Sequence, residues 1–339
     1  MKIQLIQLDG SLPNLALMRI AAHHRERGDE LSLKFGAQFE ASLFEPDPDR
    51  VYASAIFVKT LPLVIRLQRR YPSVILGGTA FGRGATAINV YATVESAGIQ
   101  TTGLDYLLYP RFQQSIGFTQ RGCRLKCEFC VVPWKEGKVK TEHTIAEIWR
   151  GDPWPRELLL LDNDFFGQPQ WRERIREIRD GGFKVSLSQG INCRCITEEA
   201  AEAIASVDYR DDSMRTKRIY TAWDNRGDEE RLFVGLNRLV RYGVKPDHIM
   251  VFILIGYWPG ETHEDRDYRR MRLRQFGARP YPMPFVRTPE LVGFQRWCVG
   301  AYDKPSKRWP NGVPWDKWVK AKYQPANLGY DTEQLELHK

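Results

Sequence analysis

Cys123, Cys127 and Cys130 stand at the spacing Cys-x-x-x-Cys-x-x-Cys inside the stretch Ser115 to Lys138, SIGFTQRGCRLKCEFCVVPWKEGK. Thiolates this close in sequence can converge on one metal centre, and soft sulfur ligands select zinc or an iron-sulfur cluster. A structural zinc requires a fourth ligand at comparable spacing. The nearest candidate, His143, lies beyond a loop containing Pro133 and Gly137. Three free thiols in a core are the plain alternative, and the interleaved Arg124, Lys126 and Glu128 speak against it. A cuboidal 4Fe-4S cluster held by only three cysteines keeps one iron open for an outside ligand.

Further polar groups stand where apolar runs end. Glu157 to Leu161 is followed by Asp162, Asn163 and Asp164; Phe183 to Ser188 by Gln189, Asn192 and Arg194; and Arg218 to Ala222 by Asp224. Ile253, Leu254 and Ile255 run into Gly256, which permits close approach of the chain. The bland readings are an Asx turn or cap at Asp162 to Asp164, a surface arginine at 194, and plain core strand at 253–255. Cys193, Cys195 and Cys298 match no auxiliary-cluster spacing and read as small buried residues. Cys193 and Cys195, two apart, would face one way on a strand.

The elements that must position these groups alternate. Ile3 to Leu8 reads as a strand, Leu12 to Arg27 as a helix stopped by Gly28, Val51 to Val58 as a strand, Leu61 to Arg70 as a helix, and Val74 to Leu76 as a strand. Such alternation implies a doubly wound, Rossmann-like parallel sheet. Gly77, Gly78, Gly82 and Gly84 do not make a dinucleotide fingerprint and read as turn residues. His23 and His24 read as exposed polar positions on the first helix. Tyr91 to Pro110 is a connection with little periodicity, which places a domain boundary there. Thr144-x-x-Glu147 is a capping box. Helices are expected over 171–180, 198–205 and 230–242, strands over 249–255 and 281–286, the last pushed to an edge by its prolines. The domains expected are therefore 1–110, 111–286 and a C-terminal extension, 287–339.

With Phe129 completing Cys-x-x-x-Cys-x-aromatic-Cys, the loop resembles that of the radical S-adenosylmethionine superfamily. The resemblance implies a partial (βα)6 barrel over 111–286, with Cys123, Cys127 and Cys130 holding the 4Fe-4S cluster. The open iron would chelate S-adenosylmethionine, whose reductive cleavage gives a 5'-deoxyadenosyl radical. It implies that Asp162, Asn163 and Asp164 stand where the family's Gly-Gly-Glu binds the methionine amino group. Gln189, Asn192 and Arg194 would then meet the methionine carboxylate, Asp224 the ribose, and the backbone around Ile253 and Ile255 the adenine. The segment 1–110 is similar to the cobalamin-binding domain of one branch. The Asp-x-His-x-x-Gly motif that supplies an axial histidine is absent, so a degenerate domain is preferred and cobalamin is possible but not favoured. The loop also looks like that of tRNA methylthiotransferases, yet no cysteine precedes Cys123 to hold their second cluster.

At 339 residues and 42% hydrophobic content the chain can bury a full core. No apolar run approaches the roughly 20 residues of a membrane span, and six cysteines in this arrangement suit metal ligation in a reducing compartment, so a cytoplasmic protein is expected. The formal net charge of +8 favours anionic partners, a nucleotide or nucleic acid among them. A reductant protein such as flavodoxin or ferredoxin is a further expected partner. Trp297, Trp309, Trp315, Trp318 and Tyr323 are interleaved with lysines and arginines. They read either as plates for a nucleic-acid strand or, preferred, as the packing of the extension with lysine stems outside. Three functions compete: a radical S-adenosylmethionine enzyme, its cobalamin-dependent methyltransferase variant, and a nucleic-acid-binding protein with a structural metal.

Overall fold

A computed structural model describes residues 1–41, 46–81 and 94–328. Gly82, Gly84 and Tyr91 lie outside the described residues. The chain forms two compact units, Met1–Leu161 and Asp162–Lys339, and the division after Leu161 falls inside the segment 111–286 expected as one domain. Both units are α/β with parallel strand pairs.

In the N-terminal unit, β1 (Lys2–Gln7) is central, with β2 (Glu30–Phe35) on one side and β3 (Arg50–Ser54) then β4 (Ile75–Gly77) on the other, all parallel. The helices α1 (Leu15–Glu26) and α2 (Leu61–Arg70) make the crossovers. β1 is buried from Ile3 to Gln7, as a central parallel strand must be. β2 escaped the sequence reading because it is an edge strand of half-exposed residues. Asn14 caps α1, accepting from the Leu17 amide at 3.1 Å. Asp9 joins the ends of β1 and β3 by accepting from the Ile56 and Phe57 amides and the Thr60 hydroxyl. Gly78, at φ +117, has no room for a side chain, because a Cβ would lie 1.9 Å from the Ala55 carbonyl oxygen.

His24 corrects the expectation of an exposed position. It is 1% exposed, its Nδ1 donating to Asp29 at 2.7 Å and its Nε2 accepting from the Tyr52 hydroxyl at 3.1 Å. The second part of the unit pairs β5 (Ser115–Gly117) with β8 (Glu157–Leu160) in parallel. Between them, β6 (Gln120–Arg121) and β7 (Lys140–Thr141) form a short antiparallel ladder, with α3 (Val132–Lys135) before it closes and α4 (Ile145–Ile148) after it. The Thr144 capping box forms, over one turn of helix only.

The C-terminal unit pairs β9 (Lys184–Leu187) with β10 (Asp208–Tyr209), and lays β11 (Ile219–Ala222), β12 (Ile249–Ile255) and β13 (Arg279–Pro284) in a parallel three-stranded sheet. The proline-rich β13 is the edge, as its missing donors require. Its helices are α5 (Trp171–Asp180), α6 (Glu198–Ala205), α7 (Glu229–Arg241), α8 (His263–Phe276), α9 (Pro289–Val299) and α10 (Trp315–Lys320). α8 carries no apolar stripe, and buries Arg266 and Arg269 beside Leu273. Arg269 donates to the Leu254 carbonyl at 2.9 Å and pairs with Glu261, whose other oxygen accepts the Gly256 amide at 2.5 Å. This buried pair therefore fixes the carboxyl end of β12.

Two expectations follow. Arg269→Met leaves Glu261 charged and buried without its partner, and lowers the unfolding free energy measured by denaturant titration by about 3–5 kcal/mol; a change below about 1 kcal/mol would show the pair to be incidental. Burial holds the His24 imidazole below its ordinary value of 6.5, against the opposing pull of Asp29. Its contribution is complete above that value and is lost as pH falls through the lower folded value, since the unfolded chain then binds the extra proton. His248 and His263 are shifted in the same direction by burial. Melting temperature accordingly drops from pH 7 to pH 5, with a shallower slope in His24→Gln; equal slopes would remove His24 as a contributor.

Candidate metal and cofactor site

The cysteine loop begins where β6 ends and returns where β7 begins, so its two ends are held side by side by the ladder. Three bonds tighten that neck. Glu136 accepts from the Arg121 guanidinium at 2.7 Å and from the Gly122 amide at 3.0 Å, and the Cys123 amide donates to the Gly137 carbonyl at 3.3 Å. Gly122 lies at φ +78, where a Cβ would sit 2.3 Å from the Lys138 carbonyl oxygen, so the strands close only over a glycine. Buried Gln120 donates to the Gly122 carbonyl at 2.5 Å. Within the loop, the Cys130 amide reaches back to the Cys127 carbonyl at 3.1 Å, and the Leu125 amide donates to the Cys123 sulfur at 3.3 Å.

Closed in this way, the loop walls an open cavity of about 740 Å³ onto which all three cysteines face, with Arg124, Lys126 and Lys138 on the same wall. The three cysteines and Phe129 are half-buried, while Arg124, Lys126 and Glu128 are exposed. Among the described residues, no three His, Cys, Asp or Glu side chains are grouped tightly enough to share one metal ion. A tetrahedral zinc, with sulfurs about 2.3 Å from the metal, therefore finds no ready ligand set. A cube of four irons takes each thiolate on a different iron, and asks for sulfurs spread around a cavity rather than meeting at a point. Three thiol side chains on one cavity wall are the ligand type that such a cube takes.

In the C-terminal unit the other expected residues fall into three places. Asp162 and Asp164 are buried, at 1% and 2% exposure, with Asn163 half-buried between them. Asp164 precedes a 3-10 turn over Phe165–Gly167 without capping it through its side chain. Gln189 is exposed at the turn after β9. Asn192 and Arg194 are joined to Asp228, Arg194 donating to Asn192 at 3.2 Å and to Asp228 at 2.6 Å. Contact of Arg194 with a methionine carboxylate would thus compete with Asn192 and Asp228. The Asn192 side-chain nitrogen is buried with no hydrogen-bond partner among the described residues.

Asp224 lies close to this pair. Burial pushes its carboxyl above the ordinary range, against the pull of Arg194 and of the Leu254 amide. Ile253 and Ile255 are fully buried core side chains, and the polar backbone beyond them is engaged. The Leu254 carbonyl accepts from Arg269, the Ile255 carbonyl from the Phe285 amide at 2.9 Å, and the Gly256 amide donates to Glu261. Packing sets the turn that carries Asn192 and Arg194. A Cβ on Gly235 of α7 would lie 1.9 Å from the Cys193 carbonyl oxygen, and the Ile191 amide donates to the Tyr220 carbonyl at 2.8 Å.

Cys193 and Cys195 sit in a 3-10 turn, not a strand, one buried and the other exposed. Burial pushes the thiols of Cys193 and Cys298 up to about 12, in keeping with small buried residues. Sequence reasoning missed Glu136, Asp228, Glu261 and Arg269. The first was visible only as an acid beside the turn glycine Gly137, and the others as unremarked helix and loop charges.

No family model matches this chain, and no curated protein matches it.

Thiol titration of the metal-free, folded chain should find Cys123, Cys127, Cys130 and Cys195 reacting fast, and Cys193 and Cys298 only after denaturant is added. Six equally fast thiols would contradict the burial described here.

Proposed function

We propose that this chain is a radical S-adenosylmethionine enzyme, with Cys123, Cys127 and Cys130 holding a 4Fe-4S cluster. The observation that carries the reading is the set of three half-buried cysteines at Cys-x-x-x-Cys-x-x-Cys spacing on the wall of one open cavity, behind a stapled neck. Such a cluster supplies an open iron for the methionine end of the cofactor and one electron for its sulfonium. Bound there, the cluster would pass one electron from a low-potential protein such as flavodoxin or ferredoxin to S-adenosylmethionine, whose cleavage would give methionine and a 5'-deoxyadenosyl radical. Such a radical would take a hydrogen atom from substrate, giving 5'-deoxyadenosine and a substrate radical.

The chain's own residues divide the remaining work. Glu136 and Gly122 keep the thiols presented, and Lys126, Arg124 and Lys138 offset the negative charge of thiolate ligands. Asp224, with its carboxyl raised by burial, is suited to hydrogen-bond a ribose hydroxyl, and the unpartnered Asn192 amide is a donor for cofactor oxygen. The parallel strands support a Rossmann-like N-terminal sheet and a partial (βα)6 barrel as the finer fold, and the net charge of +8 supports a nucleotide or nucleic-acid substrate in the cytoplasm. Cobalamin is possible but not favoured, because the Asp-x-His-x-x-Gly motif is absent and both ring nitrogens of His24 are engaged.

Anaerobically reconstituted protein should hold about four irons and four sulfides per chain and release 5'-deoxyadenosine from S-adenosylmethionine with dithionite. Cys127→Ser should lose both, and Glu136→Ala should retain less iron than the parent. Iron-loaded parent protein that never yields 5'-deoxyadenosine would leave the cluster structural and reject the enzyme.

A further inference from the structure

The C-terminal unit carries a second concentration of cations at the amino ends of β11 and β13. Arg218, just before β11, and Arg279, at the start of β13, both donate to the Asp247 carbonyl, at 3.0 and 2.7 Å. Two guanidinium groups are thereby brought to one backbone oxygen. Lys304 stands close enough to Arg279 and Arg274 for their charges to oppose its own, although burial is the larger cause of its lowered pKa; Arg218 is lowered likewise, by burial first and then by Arg279.

Lys304 opens a compact loop that continues this surface. The loop is pinned where Gly312 packs on the Asp303 carbonyl, a Cβ there coming within 2.4 Å of it, and is tied internally by the Ser306 amide bonding to the Trp309 carbonyl at 2.8 Å. Exposed Lys307 and Arg308 lie at its tip. The Asp303 carboxylate is fully buried and spent on Arg270 and Arg274. Asp211, held by the Thr216 hydroxyl and the Arg215 amide, and exposed Asp247 both act on Arg218, and five cations outnumber them.

The aromatic side chains that could have served as stacking plates are turned inward. Between 287 and 323 no tryptophan or tyrosine is exposed. The Trp297 and Trp318 indoles donate to the Val313 and Gly293 carbonyls, Trp318 stacks on Tyr302, and Trp315 on His263. Single strands are gripped by stacking bases on exposed rings, whereas duplexes offer rows of phosphates to arginine and lysine. An acidic protein would favour a surface with apolar or aromatic anchors, and lysine is depleted in such interfaces.

We propose that Arg218, Arg279, Lys304, Lys307 and Arg308 form a phosphate-gripping surface for double-stranded nucleic acid, contacting the backbone without reading bases. The proposal stands apart from the reaction of the cysteine loop and is tested without it. Full-length chain is titrated by fluorescence anisotropy against a labelled RNA duplex, the corresponding DNA duplex and the single strand, between about 50 and 200 mM salt.

Duplex binding stronger than single-strand binding is expected, with affinity falling steeply with salt. The RNA and DNA arms tell which duplex is preferred. Lys304→Gln/Lys307→Gln/Arg308→Gln should weaken binding about tenfold or more and reduce the logarithmic salt slope by about 3. Lys307→Glu/Arg308→Glu, at the exposed tip, repeats the test should the triple variant fold poorly. Absence of duplex binding, variants that bind like the parent, or polyglutamate competing as well as duplex at equal charge would each overturn the proposal, the last in favour of an acidic protein.

Discussion

The Glu136 carboxylate takes the Arg121 guanidinium on one oxygen and the Gly122 amide on the other, and these two bonds decide how the cysteine loop is presented. A loop of this length has many conformations, and ordering it costs roughly 1–2 kcal/mol per residue in backbone entropy. A short ladder of two residues on each strand cannot offset that alone. The neck works because several weak terms act at the same point. A charge-assisted pair, a glycine that lets two backbones touch, and the Gln120 side chain all hold residues 120–122 against 136–138. The three thiols inherit their exposure on one cavity from that closure.

A different constraint governs the C-terminal unit, which buries charge where most domains bury aliphatic groups. Arg269 with Glu261 fastens the ends of β11 and β12, through bonds to the Trp223 and Leu254 carbonyls. Arg270 and Arg274 converge on the fully buried Asp303 and so secure the segment that follows α9. Buried pairs give little net stability compared with apolar packing, but they punish any other arrangement because each lone charge is costly. They therefore suit positions where backbone geometry matters, such as the strand end beside Asp224 and the loop that carries Lys307 and Arg308. The same arrangement leaves Lys307 and Arg308 exposed.

Much of the local structure is legible in the chain's own order. The helix over 171–180 and the strand over 249–255 form where periodicity and apolar runs place them, and the Thr144 capping box forms as its spacing requires. α8 is illegible because its buried face is made of arginines, which a reading of apolar periodicity scores as solvent-facing. β2 is missed because an edge strand lacks a continuous buried run. His24 reads as exposed because nothing nearby in sequence announces that Tyr52 will cover it.

The sequence by itself determined the spacing of Cys123, Cys127 and Cys130, the alternation of strands and helices, and the surplus of positive charge, since each depends only on neighbours along the chain. Tertiary structure alone decided that the thiols share a cavity and that Arg194 turns toward Asp228. It also decided that Cys193 is buried while Cys195 is exposed, and that the tryptophans of the extension point inward. Those outcomes depend on which distant groups are packed alongside, and a side chain's partner is chosen by the burial of charge and apolar surface across the whole unit, not by its position in a motif.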